Sequence, residues 1–518
     1  MVRRFALCAL TAALVISVAG CGSLSQQSSA AKELSSSAQA VPTSVAPGSI
    51  PVTHAPIPAP ATATPVPTLT VSPMAKTPSG GKVEARIERI RGALDGSRVT
   101  DFPAGAFRGK NVIIVQVESL NAMLIGKSYG RHEITPNLNK LIGESWYWPN
   151  AYSETGMGNT VDAEFIVNTS LYAPKGQATA VKYANRVIPA MPRILRGLGY
   201  YTFTLHPNSV LYWNRDNLYQ ALGFSRYFDR AIFHGADTMG RFGSSDEQIF
   251  KRAKKILLKS QASGRPFYSH VITVSAHPPF DFVPESRRPL KTPKDLAGSL
   301  MGKYISAESY SDKAIGQFVA DLKASTLWDN SILIVYGDHT AMPTNTLSGR
   351  DARGARKLLG RPYGPVDRQR IPLIIHVPGE TTPTVRTEVA GQADILPTVA
   401  DMVGADISQV PHMGRSLFVD SGSLVPLRAY LPSSFLDSTH LLDYADGKYL
   451  TYNVASGSRT NRPASINEAA RRVDQLSSIS DRWVMSLKTF KTGKKGWIPD
   501  AAARRAAAPY GFLQTGTG

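Results

Sequence analysis

Only two cysteines occur among 518 residues, Cys8 and Cys21, and both lie close to the N-terminus. The body of the chain therefore has neither a disulfide to staple it nor a thiolate zinc site, and packing must hold it. Acid is scarce as well: 39 Asp and Glu face 58 Lys and Arg, an excess of 19 positive charges. That balance suits nucleic acid, anionic lipid or a phosphorylated substrate without choosing among them. Long apolar runs are missing after the first twenty residues, so no later stretch reaches the roughly 18 residues a membrane span needs. Between Leu34 and Ala75 there is no Asp, Glu, Lys or Arg at all. What is plentiful is apolar: 42% of the chain is hydrophobic, enough to fill a large core and to exclude wholesale disorder. At about 100–200 residues per domain, the length allows two to four domains.

The N-terminus points to a compartment. Arg3 and Arg4 precede an apolar run from Phe5 to Ala19, the charged start and short apolar middle of a secretory signal. Val18-Ala19-Gly20-Cys21 matches the lipobox of bacterial lipoproteins, in which the cysteine is diacylated and becomes the new N-terminus. Residues 1–21 are thus expected to be a signal peptide with Cys21 as the lipidation site. The mature protein would be extracytoplasmic, anchored to the outer face of the bacterial cell membrane and not crossing it, since two acyl chains suffice for stable anchoring. Residues 22–82, rich in Ser, Ala, Thr and Pro, cannot bury enough apolar surface to order themselves and read as a tether reaching on the order of 40 Å.

A short amphipathic helix is expected over Val83–Leu94, with Ile87, Ile90 and Leu94 on one face. Apolar, β-branched runs then recur at Val112–Val117, Tyr201–Leu205, Tyr268–Val274, Ile332–Tyr336 and Leu373–Val377. Segments of helical periodicity, such as Ala307–Leu322 and Asp394–Val403, lie between or after them. Strands alternating with helices predict an α/β domain built on a mainly parallel sheet buried on both faces. Ligands bind such sheets outside the carboxyl ends of the strands. Glu118 follows the first run, His206 the second, His277 comes soon after the third, and Asp338 and His339 close the fourth. These five are expected to converge on one edge, where their oxygen and imidazole donors suit a divalent metal such as Mn²⁺, Mg²⁺ or Zn²⁺.

Such a site, lacking any thiol, needs another nucleophile. Gly156-Met157-Gly158-Asn159-Thr160 leads into a segment of helical character through Asn168, which puts Thr160 at a helix N-terminus. The backbone N–H groups and dipole there favour an anion, and metal coordination lowers a hydroxyl pKa. Local sequence alone leaves open that Thr160 is only an N-cap.

From about Asn111 to Phe418 the chain resembles the extracellular domain of the lipoteichoic acid synthases, in the sulfatase-like branch of the alkaline phosphatase superfamily. The matching motifs, in order, are Val117-Glu118-Ser119, Thr135-Pro136-Asn137-Leu138, the stretch Gly158–Phe165, Trp213-Asn214-Arg215-Asp216, Ser245-Asp246-Glu247, His277-Pro278-Pro279-Phe280, Gly337-Asp338-His339 and the stretch Gly391–Thr398. The resemblance implies an α/β fold of the alkaline phosphatase/sulfatase type, with helices flanking the sheet and a smaller C-terminal subdomain. It implies a metal, Mn²⁺ first, held by Glu118, Thr160, Asp338 and His339. It implies that Thr160 attacks phosphatidylglycerol, that diacylglycerol leaves, and that the glycerophosphoryl group passes to an acceptor hydroxyl on a glycolipid or polymer. Trp213, Arg215 and His277 map onto residues that hold glycerol phosphate, with His206 as a neighbour and His277 also able to shuttle a proton. Asp246 and Glu247 read instead as the cap and start of a helix.

Two features depart from the family pattern. Val161 stands where the synthases commonly have Ser, and a lipid anchor with a tether replaces several membrane-spanning helices. A tethered domain of this kind suits priming a chain, modifying a glycan or hydrolysing a head group as well as polymer synthesis. Sulfate hydrolysis is disfavoured, because no Cys/Ser-x-Pro-x-Arg motif surrounds Thr160. A catalytically silent lipoprotein that binds anionic envelope polymer, using the late cluster Lys488, Lys491, Lys494, Lys495, Arg504 and Arg505, is the alternative from another class. Nucleic acid is not expected as a partner, since the protein reads as exported and shows no recognition motif. The expected organisation is a catalytic domain over 83–425, a C-terminal subdomain over 426–490 and a basic tail over 491–518.

Overall fold

The computed structural model describes residues 80–491, apart from 93–96, 234, 240–241, 343–346, 420–423, 429–432 and 446–447. The signal segment, Cys21, nearly all of the tether and residues 492–518 lie outside the described residues. Among the described residues, no helix is long and apolar enough to cross a membrane.

The central sheet contains β1 (Asn111–Val117), β2 (Trp146–Tyr152), β3 (Tyr201–Leu205), β4 (Arg226–Phe228), β5 (Phe267–Ile272), β6 (Ser331–Gly337), β7 (Arg370–His376), β8 (Thr384–Val385) and β9 (Ala390–Gly391). Their spatial order is β8-β2-β7-β6-β1-β5-β3-β4, with β9 also paired to β2. Strands β4, β3, β5, β1 and β6 run parallel. Strand β7 is antiparallel to both β6 and β2. The reversal of the run around Leu373 has a simple origin: a strand buried on both faces is uniformly apolar, and such a run carries no direction. Strand β2 escaped the sequence pattern because Pro149 interrupts it. The register with β7 shifts between Trp148 and Ala151, so the proline occupies a bulge.

Alternation along each strand sends side chains to two cores. Val112, Ile114, Ile332, Ile334, Leu373 and Ile375 face one side. They join Phe165 and Ile166 of α2 (Thr160–Thr169), Leu218 of α3 (Arg215–Leu222) and Val399 and Met402 of α6 (Ile395–Val403). Ile113, Val115, Val117, Leu333, Val335 and Ile374 face the other side. There they meet Ile249 and Ile256 of α4 (Asp246–Gln261) and Ile315 and Phe318 of α5 (Leu300–Lys323). A helix begins at Asp246 and Glu247 as the sequence reading has it, but the cap is Ser245, whose hydroxyl accepts from the Gln248 N–H, and both acids lie in the first turn of α4. The N-terminal helix α1 spans Gly80–Arg91, three residues ahead of the expected start.

A second, antiparallel sheet follows, made of β10 (Val425–Pro426), β11 (Phe435–Leu436), β12 (His440–Ala445), β13 (Lys448–Asn453) and β14 (Arg459–Thr460). The last helix, α7 (Ser465–Ser486), returns to the main body, where Leu476, Ile479, Trp483 and Val484 enter the first core.

Candidate active site

The parallel strands β1, β3 and β6 end on one edge of the sheet, and the residues that follow them form the site. Glu118 comes directly after β1, His206 after β3, and Asp338 and His339 after β6. Two backbone devices bring the β1 and β6 ends together. Ser119 adopts a left-handed φ of 59° and turns the chain, so that its N–H donates to Asp338 Oδ1 at 2.8 Å and its hydroxyl to Glu118 Oε1 at 2.9 Å. At Gly337 a Cβ would stand 2.0 Å from the Leu120 carbonyl oxygen, so only glycine permits this approach.

Thr160 arrives from the other direction, as the first residue of α2. The loop before it is pinned by Asp162, whose Oδ2 accepts from Gly156 N–H (3.0 Å) and Gly158 N–H (2.8 Å), while Oδ1 accepts from Thr179 N–H (2.8 Å). The Thr160 hydroxyl is not spent on capping. It donates to Glu118 Oε2 at 3.3 Å and lies 3.5 Å from His339 Nε2. Gln116, within β1, donates from Nε2 to the Thr160 carbonyl at 3.0 Å and accepts the Tyr336 hydroxyl at 2.5 Å.

Glu118, Asp338 and His339 are all buried, with ligand atoms lying within 4.8 Å of one another. His339 Nε2 is 3.2 Å from Glu118 Oε1 and 3.6 Å from Asp338 Oδ2. Burial opposes ionisation of Glu118, but the neighbouring His339 holds its carboxyl below the usual range. Asp338 is pushed up by burial, with the Glu118 charge adding to it against the pull of His339. Burial would lower His339; the two carboxylates raise it instead. Asp338 Oδ2 has no hydrogen-bond partner among the described residues. His339 Nδ1–H donates to the Thr340 carbonyl at 3.0 Å, which leaves Nε2 turned toward the carboxylates. Two buried carboxylates, one with an orphaned oxygen, an inward imidazole nitrogen and a hydroxyl form a donor set that fits a hard or borderline divalent cation.

Of the expected phosphate-binding residues, His206 feels the charges of Arg215 and His277, and His277 in turn acts on Glu118, so these three gather near the same edge. His206 Nδ1 accepts from the Asn208 N–H at 3.0 Å, so Nε2 carries its proton. Burial, then the charges of Arg215 and His277, hold His206 well below the ordinary histidine range, and it stays a neutral donor. His277 donates from Nδ1 to the Pro278 carbonyl at 2.7 Å and stacks on Phe242 at 4.1 Å, leaving Nε2 to exchange a proton. Trp213, two residues ahead of Arg215, is one-third exposed, with φ 59°.

Arg215 differs from a surface ion pair. Only 2% exposed, it is clamped by Glu164: Nε and the Nη2 atom each lie 2.8 Å from Oε1, and Tyr219 donates to Oε2 at 2.8 Å. Glu164, Gln116 and Thr273, which accepts the Glu118 N–H at 2.9 Å, are supports to which the sequence reading assigns no role, and only Thr273 lacks a signal of its own. Two of them carry one: Gln116 is the one polar side chain in β1 after its first residue, Asn111, and Glu164 an acid one turn past Thr160 in a wholly buried helix.

Residues 110–405 match the family model described as Sulfatase. Lipoteichoic acid synthase of Staphylococcus saprophyticus is 34% identical over 334 residues, covering 62% of this chain and 50% of that protein. The lipoteichoic acid synthase of Staphylococcus aureus (strain USA300) is 30% identical over 387 residues, covering 73% and 57%. The chain thus spans about half the length of the curated relatives it matches. Among solved structures, the lipoteichoic acid synthase LtaP from Listeria monocytogenes superposes with a TM-score of 0.72 at 30% identity, over 79% of this chain and 100% of that one. A protein in the alkaline phosphatase superfamily from Vibrio parahaemolyticus shares the fold, with a TM-score of 0.63 at 22% identity over 79% and 97%. By family model, sequence and fold together, the chain belongs to the sulfatase family within the alkaline phosphatase superfamily, as a relative of the lipoteichoic acid synthases.

Proposed function

We propose that this protein transfers a glycerophosphoryl group from phosphatidylglycerol, or another anionic phospholipid, to an acceptor hydroxyl through a covalent intermediate on Thr160. The observation that carries the reading is the Thr160 hydroxyl itself, set at the start of α2 and directed at Glu118 and His339. Thr160 Oγ gives its proton to solvent and forms a bond to phosphorus, and the bond from phosphorus to the diacylglycerol oxygen breaks. The leaving oxygen takes a proton from His277 Nε2, a step in which the ring starts with both nitrogens protonated and ends neutral, with its Nδ1 proton still donated to the Pro278 carbonyl. In the second half the acceptor hydroxyl passes its proton to His277 Nε2 and bonds to phosphorus, and Thr160 Oγ departs and takes a proton from solvent.

Arg215, fixed by Glu164, grips phosphate oxygens with the remaining face of its guanidinium, and neutral His206 adds a hydrogen bond from Nε2. Trp213 covers the glycerol end. Glu118, Asp338, His339 and Thr160 would hold one divalent metal, Mn²⁺ foremost, with Mg²⁺ or Zn²⁺ as substitutes. When bound, that cation offsets negative charge on the nucleophile and the phosphoryl oxygens. Residues 83–425 carry the reaction, 426–490 the added subdomain, and acylated Cys21 with the 22–82 tether holds both at the outer membrane face.

Purified protein with Mn²⁺ is expected to release diacylglycerol from phosphatidylglycerol vesicles. Chelation should stop it, and Thr160→Ala should lower the rate by about 10³-fold or more. Absence of metal-dependent release from the wild type would remove this donor from the reading. Free glycerol phosphate in place of an extended acceptor would mark water as the acceptor.

A further inference from the structure

The described residues include ten large hydrophobic side chains that stand exposed, and five of them lie on three segments tied by hydrogen bonds to one another or to α2, the helix that Thr160 begins. Met157 (64% exposed) belongs to the loop that Asp162 pins ahead of Thr160. Val181 (65%) lies on the short helix Thr179–Lys182, whose first N–H is held by the same Asp162 carboxylate. Leu211 (66%), Tyr212 (47%) and Trp213 (36%) form the third segment. It is tied to the second by Asn214 Nδ2 donating to the Ala180 carbonyl at 2.8 Å, and to α2 by Arg215, which contacts both the Tyr212 carbonyl and Glu164. The Tyr212 and Trp213 rings meet edge to face at 6.1 Å.

Solvated apolar side chains of this size are costly when clustered, and here the backbone holds them outward. Trp213 and Asn214 are consecutive non-glycine residues with left-handed φ of 59° and 52°, a conformation that persists only where the surroundings impose it. Tyr and Trp at an apolar edge suit the headgroup level of a bilayer, where the ring is buried and its polar end stays wet. Two exposed cations lie close to these segments along the chain or through one bond, Lys175 four residues before the Thr179–Lys182 helix and Arg230 by its N–H bond to the Asn208 carbonyl three residues before Leu211, and cations so placed complement an anionic lipid surface.

We infer that Met157, Val181, Leu211, Tyr212 and Trp213 form a membrane-docking rim that seats the mouth of the site on the interface of an anionic bilayer. The inference deepens the proposed reaction, which needs phosphorus to reach Thr160 while the acyl chains stay in hydrocarbon. The rim solves this by lowering the site onto the lipid, so that only the headgroup is drawn past Trp213 toward Arg215. A tether alone keeps the domain near the membrane without orienting it; an apolar rim tied to the nucleophile's helix orients it.

The test uses the full chain with Cys21→Ser, and vesicles of phosphatidylserine with acyl-brominated phosphatidylcholine, which contain no glycerol phosphate donor. Bromines quench tryptophans that enter the acyl region. Emission is expected to fall, and Trp213→Phe should abolish most of that fall, although the chain has six tryptophans. The double change Val181→Asp with Leu211→Asp, at two solvent-exposed positions, should remove the quenching with an unchanged melting curve. In parallel, the double variant should turn over phosphatidylglycerol in vesicles about tenfold more slowly or worse, with little change on a monomeric short-chain phosphatidylglycerol. A vesicle-bound protein whose Trp213 emission ignores bromine would overturn the inference, whether the rim meets a protein partner, a second copy or water. If quenching appears and no donor of either kind is turned over, the rim stands and the transferase reading falls.

Discussion

Thr160 and Arg215 show how a residue's neighbours decide its role. From local sequence Thr160 reads as a nucleophile or as a helix cap; in the fold its hydroxyl turns to Glu118 and His339, and Asn159 takes the capping position. The motif Trp213–Asp216 draws attention to Arg215, yet it is silent about Glu164, fifty-one residues earlier, which fixes the guanidinium. That partner was legible only as an oddity, an acid inside a helix with no exposed face. A buried pair of this kind is sensitive to losing one member, because the other charge is left without compensation. Glu164→Gln should therefore destabilise the protein by about 3–5 kcal/mol in denaturant titration. In the folded variant KM for the donor should rise more than kcat falls, since Glu164 positions the phosphate grip without touching the reacting atoms. An unchanged KM would separate Arg215 from phosphate binding.

Elements were readable where their pattern has one meaning. Strands β1, β3, β5 and β6 announce themselves as buried β-branched runs, and the polar residues following β1, β3 and β6 assemble at one edge because parallel strands share a direction. Strand β7 has the same composition and runs the other way, as hydrophobicity encodes burial and says nothing of polarity along the chain. Strand β2 was hidden by Pro149, which breaks the periodicity at the bulge it occupies. The junction of β6 with the loop after β1 depends on a feature of a different kind, the missing side chain of Gly337. Gly337→Ala would drive a Cβ to within 2.0 Å of the Leu120 carbonyl oxygen. Relief requires β6 to move away from the Glu118 turn, so the variant should lose about 1–3 kcal/mol of stability and most of its metal-dependent activity. Full activity in Gly337→Ala would mean that the relative placement of Glu118 and Asp338 is not critical.

At the scale of the whole molecule, stability rests on an extensive core and on polar groups buried in defined protonation states. His270 of β5 is fully enclosed, its Nδ1 3.1 Å from Asn168 Nδ2, and burial holds its pKa down to about 3. The unfolded chain titrates near the ordinary histidine value of about 6.5. Above that pH neither state is protonated at His270, and the residue confers no pH dependence. Below it the unfolded chain gains a proton that the folded state refuses, so stability is lost as pH falls toward 3, by up to about 1.4 kcal/mol per unit. Buried carboxyls raised by burial, such as Glu154, act in the opposite sense, so the informative quantity is a difference. Urea unfolding at pH 7, 6 and 5 should show His270→Gln losing less stability than wild type over that interval. Parallel curves would contradict the assignment of His270 as a neutral core residue.

The excess of 19 positive charges, open to many partners when taken alone, gains a specific use under the inferred docking, in which exposed Lys175 and Arg230 lie close along the chain to segments of the apolar rim or to residues bonded near them. Charge draws such a domain toward anionic lipid and the rim sets its orientation, leaving chemistry to the buried edge of the sheet. The proposed reaction, as distinct from the docking, depends on covalent catalysis by one hydroxyl. The most direct measurement is mass spectrometry of the peptide containing Thr160 after brief incubation of the protein with phosphatidylglycerol and Mn²⁺. The account predicts a glycerophosphoryl group on Thr160, formed together with diacylglycerol and absent from Thr160→Ala. Release of diacylglycerol by Thr160→Ala at the wild-type rate, with no adduct on the wild-type peptide, would contradict it.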